Sequence, residues 1–125
     1  MKKTLSEEDG SQLVEFIGVL PLVMATILIG WQFFLAGHTF IVTANAAREG
    51  ARALAVCGAS SGDAIAAVRR SVPAGYTPST SPSAGGSAVT VQVSNQIPVI
   101  DIFSSVDEWM PDVTFQAVMR KETCR

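Results

Sequence analysis

The chain has 125 residues, 48% of them hydrophobic and 16% charged, with a formal net charge of -2. That length allows one small domain or an anchor with a modest head, and the apolar share suits a chain with a membrane span. With no basic patch, one histidine (His38) and two cysteines (Cys57 and Cys124), the sequence gives no support to nucleic-acid binding or to a zinc site of the usual type.

Residues 1–10, MKKTLSEEDG, are polar and too short to pack alone. Residues 16–37, FIGVLPLVMATILIGWQFFLAG, carry no formal charge. As a helix they extend roughly 33 Å, about the thickness of a bilayer core. A helix satisfies its own backbone groups in lipid, so residues 11–37 read as one membrane helix. Trp31, Phe33 and Phe34 crowd its far end, where an aromatic belt sits. Pro21 falls near its beginning, a position that membrane helices tolerate. A cleaved secretory signal fits poorly. Glu7, Glu8 and Asp9 cancel Lys2 and Lys3, the apolar run exceeds the usual ~7–15 residues, and no A-x-A site closes it.

The helical pattern continues over residues 38–56. Phe40, Ala44, Ala47, Ala51, Leu54 and Ala55 recur at spacings of three and four, so they share a narrow, small-residue face. Two readings stand open: packing on the chain's own head, or packing also against neighbouring subunits. Gly50 within the helix costs up to ~1 kcal/mol against alanine, which a close helix contact explains. Arg48, Glu49 and Arg52 read as a solvated face with an internal ion pair, with contact to lipid headgroups or a partner as the functional alternative.

A break at Cys57–Gly58 opens the head, residues 57–125. Asp63 is expected to cap a short helix ending in Arg69 and Arg70. Residues 73–87, rich in Pro, Ser, Thr and Gly, read as a surface loop. SAVTVQV then alternates, with Val89, Val91 and Val93 opposite Thr90 and Gln92. IPVIDIF is short and broken by Pro98, and SSVDEWMPD fits a helical turn capped by Ser104 or Ser105. VTFQAVMRKE alternates again, with Val113, Phe115, Ala117 and Met119 on one side. Phe103, Trp109 and Met110 read as core filler, and Asp107, Glu108 and Asp112 as a solvated acidic turn. The expected fold class is α+β: a long N-terminal helix, and a small α/β head containing an antiparallel strand pair packed on it.

One residue breaks the pattern. Glu15 puts a carboxylate where hydrocarbon begins, at about 2.5–3.5 kcal/mol on insertion scales if carried to the bilayer centre. It either marks the headgroup boundary or has a partner. If the chain is cut after Gly10, the new Ser11 amine lies within about 6 Å of helix rise from Glu15, and amine and carboxylate can neutralise each other within one chain or between packed chains.

GSQLVEF before an apolar helix resembles the processing site of type IV pilins and their relatives. The longer string is similar to the N-terminal region of TadE-like proteins: Val14-Glu15-Phe16, Leu20-Pro21, and Ala46-Ala47-Arg48-Glu49-Gly50-Ala51-Arg52. FQAVMRKE also resembles the closing strand of that family. The resemblance covers residues 10–56; the leader departs from the pattern in being acidic beside Gly10. It implies a minor pilin or pseudopilin of the bacterial tight-adherence (Flp, type IVc) pilus system. It further implies a single-pass inner-membrane precursor with its head outside, cut between Gly10 and Ser11 by a prepilin peptidase. Glu15 then carries register and charge neutralisation, and the mature chain takes part in assembly with other pilins. Ala44, Ala47, Gly50 and Ala51 are the helix-packing candidates. With the head outside the cytoplasm, a Cys57–Cys124 disulfide is allowed, worth about 4 kcal/mol in the chain-entropy model; two thiols are the alternative.

No convergent nucleophile, base or metal set is evident, so no reaction, cofactor, metal or small-molecule substrate is assigned. The rival readings are a major pilus subunit, an unprocessed single-pass scaffold or sensor, and a small membrane-tethered enzyme.

Overall fold

A computed structural model describes residues 8–99 and 109–124. Its elements, in order, are α1 (Glu8–Ala55), α2 (Ser61–Ser71), β1 (Ser79–Gly85), β2 (Ala88–Asn95) and β3 (Val113–Arg120). The chain divides into two compact units between Phe34 and Leu35, and α1 contributes to both.

In the first unit, α1 is exposed and apolar. Among the described residues it is the one helix long and apolar enough to cross a membrane, with an 18-residue stretch of mean hydropathy 2.3. Leu13, Phe16, Ile17, Leu22 and Ile27 all stand exposed, a surface consistent with membrane anchoring. Pro21 sits inside the helix and supplies no backbone donor. One turn on, the Thr26 hydroxyl donates to the Leu22 carbonyl at 2.9 Å. Trp31 and Phe34 lie with ring centroids 5.8 Å apart.

The second unit is a small α+β head built around the far half of α1. Its three-stranded antiparallel sheet has the order β1-β2-β3. The two alternating segments in the sequence are β2 and β3, with Val91 opposite Ala117 and Gln92 opposite Gln116. Val89, Val91 and Val93 are fully buried, and they meet Ala47, Ala51, Leu54, Ala64 and Val68 in one core. Period-two alternation puts one face of each strand on that core and leaves the other to solvent.

Three expectations are corrected. The stretch 73–87 is not a loop throughout, because Ser79–Gly85 forms β1, paired with β2 from Ser79↔Ser94 to Gly85↔Ala88. An edge strand needs only one partly buried face, which Thr80 and Pro82 supply, and Pro is tolerated where no ladder donor is needed. The strand pair is therefore a triplet, closed by a two-residue turn at Gly86-Ser87 with Gly86 at φ +55°. Second, the N-cap of α2 is Ser60, while Asp63 sits at the third helical position and closes a capping box. Third, Trp109 is 85% exposed, not core. It precedes Pro111 and β3, outside the alternation that buries Ala117 and half-buries Phe115. The leader's first seven residues, the expected turn at Ser104 or Ser105, Phe103, and the acidic residues Asp107 and Glu108 lie outside the described residues.

Candidate functional site

Gly10, Ser11 and Glu15 share the opening turns of α1, since the helix already begins at Glu8. The Gly10–Ser11 bond therefore lies inside a continuous helix. Ser11 and Glu15 are four positions apart, about one helical turn and about 6 Å of rise. Glu15 is exposed and flanked by exposed Leu13, Val14, Phe16 and Ile17, so a lone carboxylate stands in an apolar collar.

The four helix-packing candidates belong to the second unit. Ala44, Ala47 and Ala51 are buried in the chain's own head, and Gly50 lies against Val68 and Val91. The small residues let α1, α2 and β2 approach closely within the head. Exposed Arg48, Glu49 and Arg52 flank it. Arg48 stacks over the Phe115 ring at 5.8 Å, and Phe40 meets the same ring edge-on at 5.8 Å. Phe40, read as part of the packed face, is thus at its rim and 53% exposed.

The buried stripe is one row wider than the sequence reading gives, and the extra row is polar. Thr39 and Thr43 are fully buried, one turn apart. The Thr39 hydroxyl donates to the Leu35 carbonyl, and that of Thr43 to the Thr39 carbonyl at 2.7 Å. Having spent its proton, Thr43 Oγ1 accepts from Asn95 Nδ2 at 3.0 Å. This fixes the amide's orientation, and Asn95 Oδ1 is left buried with no partner among the described residues. Tyr76 Oη closes the group, 3.4 Å from Thr39 Oγ1 and 3.1 Å from His38 Nδ1. Two threonines four apart, on the side of Ala46, Ala47 and Gly50, were the available signal. Nothing in the sequence pointed to Asn95 or Tyr76 as their partners.

Cys57 and Cys124 are joined by a disulfide, with Cα atoms 5.4 Å apart. Beside it the Glu122 amide donates to the Ala55 carbonyl at 2.9 Å, and the Lys121 amide to the Ser87 carbonyl at 2.9 Å. Together they tie the segment after β3 to the end of α1 and to the β1–β2 turn.

At the start of α2, the Asp63 carboxylate accepts hydrogen bonds from the backbone amide and the hydroxyl of Ser60, both at 2.8 Å. The amide bond first, then the hydroxyl, holds the Asp63 carboxyl below the usual aspartate range.

A family model described as TadE-like protein matches residues 10–52. The match spans the Gly10–Ser11 bond, Glu15, the apolar run and the small-residue face through Arg52, and ends before α2 and the sheet. No curated protein and no solved structure matches the chain.

Proposed function

We propose, from the TadE-like character of residues 10–52, that this chain is a minor pilin that takes part in assembling a type IVc (Tad/Flp) pilus. The TadE-like segment links the chain to the Tad pilus system, and α1 is suited to membrane anchoring. The finer reading is a precursor held in the bacterial inner membrane by α1, with the head outside. A prepilin peptidase cuts it after Gly10, and the freed helix then packs among other pilins and the assembly machinery.

The observation that carries this reading is Glu15 in its apolar collar near the start of the matched segment. A cut after Gly10 makes Ser11 to Val14 the first residues of the helix, with free backbone donors and a new amine. Glu15 then stands where a negative charge is favoured by both the helix dipole and that amine. Within lipid, an unpaired carboxylate is penalised, so pairing it with the amine of the same or a neighbouring chain favours assembly.

One observation favours the unprocessed single-pass alternative: α1 runs unbroken through Gly10–Ser11. A peptidase needs an extended substrate there. Gly10 and the nearby helix end make local opening inexpensive. The test is Glu15→Ala in native cells. Cleavage and membrane insertion should persist while pili, counted by electron microscopy, become few. Wild-type piliation in that variant removes the role given to Glu15.

A further inference from the structure

The two edges of the sheet differ. β1 carries Pro82 in its middle, opposite Val91, which deprives that edge of a donor. β3 has no proline and no charge from Val113 to Met119. Among the described residues no strand pairs with its far edge. Its charges stand only at the two ends and are of opposite sign: Asp112 just before the strand, Arg120 as its last residue, both exposed. Edge strands are commonly blunted by charged side chains or proline along the edge, which Val113–Met119 lacks. This one is self-complementary.

We propose that the β3 edge pairs with β3 of a second copy of this chain, antiparallel about a two-fold axis at Gln116. That register sets Asp112 of each copy against Arg120 of the other, Thr114 against Val118, and Gln116 against Gln116. Residues of even number meet even, so the polar row stays on the solvent face and Phe115 meets Ala117 on the inner face. A one-residue slip would mix the two faces, and parallel pairing would set like charges together. Val118, 62% exposed in the single chain, gains a neighbour. The pairing joins two sheets into one and satisfies the open backbone groups of both edges. It does not depend on the pilus reading, because a scaffold with the same head would dimerise in the same way.

The full-length chain in detergent micelles tests it. With Cys57 and Cys124 bonded, Gln116→Cys adds the single free thiol. Opposed residues in an antiparallel pair have Cα atoms about 4.5–5.5 Å apart, within disulfide reach. Mild oxidation should give a covalent dimer on a non-reducing gel. Thr114→Cys alone should stay monomeric, since its two copies stand about 14 Å apart along the strands. Mixing it with Val118→Cys should restore cross-linking. Asp112→Lys should abolish the Gln116→Cys dimer, and adding Arg120→Glu should bring it back. Gln116 is exposed, so these tests leave the core intact. A Gln116→Cys chain that stays monomeric overturns the proposal, as it would if a related subunit, not a second copy, occupied the edge. Equal cross-linking of Thr114→Cys, or of Ser81→Cys on β1, overturns it too.

Discussion

Gly50 on α1 faces Val68 on α2 with no space for a side chain: a β-carbon on Gly50 would lie 2.7 Å from Val68 Cγ2 and 3.1 Å from Val91 Cγ1. Two effects oppose each other in Gly50→Ala. Helix propensity favours alanine by about 1 kcal/mol. Overpacking a filled core costs about 1–3 kcal/mol. Val68 is fully buried and β-branched, with one favoured rotamer in a helix, so it cannot swing aside. The clash therefore wins, and Gly50→Ala should lower the melting temperature of the head in chemical or thermal unfolding. Val68→Ala on that background should recover part of the loss. A variant as stable as wild type would mean the helices separate freely.

Thr43→Val keeps the shape of the side chain and removes the acceptor of the Asn95 amide. Asn95 would then be buried with both amide ends unpaired, at a cost of about 1–3 kcal/mol. Replacing Asn95 by leucine as well removes the stranded amide, so the double variant should be more stable than the sum of the two single losses predicts. A double-mutant cycle with zero coupling energy contradicts a Thr43–Asn95 bond.

The Cys57–Cys124 bridge closes a separation of 67 residues. For a loop of that size the chain-entropy model gives about 4 kcal/mol of stabilisation. Cys57→Ser with Cys124→Ser should lower head stability on that scale. It should also raise the hydrogen exchange of the Glu122 amide, whose bond to Ala55 lies beside the bridge. An unchanged unfolding midpoint in both oxidised and reduced chain argues against the bridge as a brace.

Asp63 makes a pH prediction of definite sign. Its folded carboxyl titrates below the usual range, so its capping contribution is present above the unfolded value and is lost as pH falls through the folded one. Asp63→Asn should be less stable than wild type at neutral pH, and the gap should close in strong acid. Melting curves of both chains from pH 7 to pH 2 check this, and a gap that widens on acidification would reverse the sign.

The sequence made the long helix and two of three strands legible because their periodicity is strong. The apolar run dominates α1, and Val89-Val91-Val93 and Phe115-Ala117-Met119 alternate with polar residues. β1 escaped because Ser79, Ser81 and Ser83 carry no hydrophobic signal and Pro82 speaks against a strand. The Gly85-Gly86-Ser87 turn was the clue to its hairpin. Asp63 was expected at the N-cap that Ser60 holds, because both residue types cap helices well and only backbone geometry separates them. The small-residue face left two packing partners open, and only the position of Val68 and Val91 over Gly50 shows the head as its occupant. The resemblance to TadE-like proteins read from residues 10–56 coincides with the family match at 10–52. The buried threonine row was illegible, since its partners Tyr76 and Asn95 are distant in sequence and singly unremarkable.

The central claim is that the first ten residues are removed so that a new amine balances Glu15. The most direct measurement is the intact mass and N-terminal sequence of the chain from native membranes, beside a Gly10→Leu variant. The account predicts a wild-type chain beginning at Ser11 and a variant that retains its leader. Wild-type chains that begin at Met1 in cells actively making pili would contradict it.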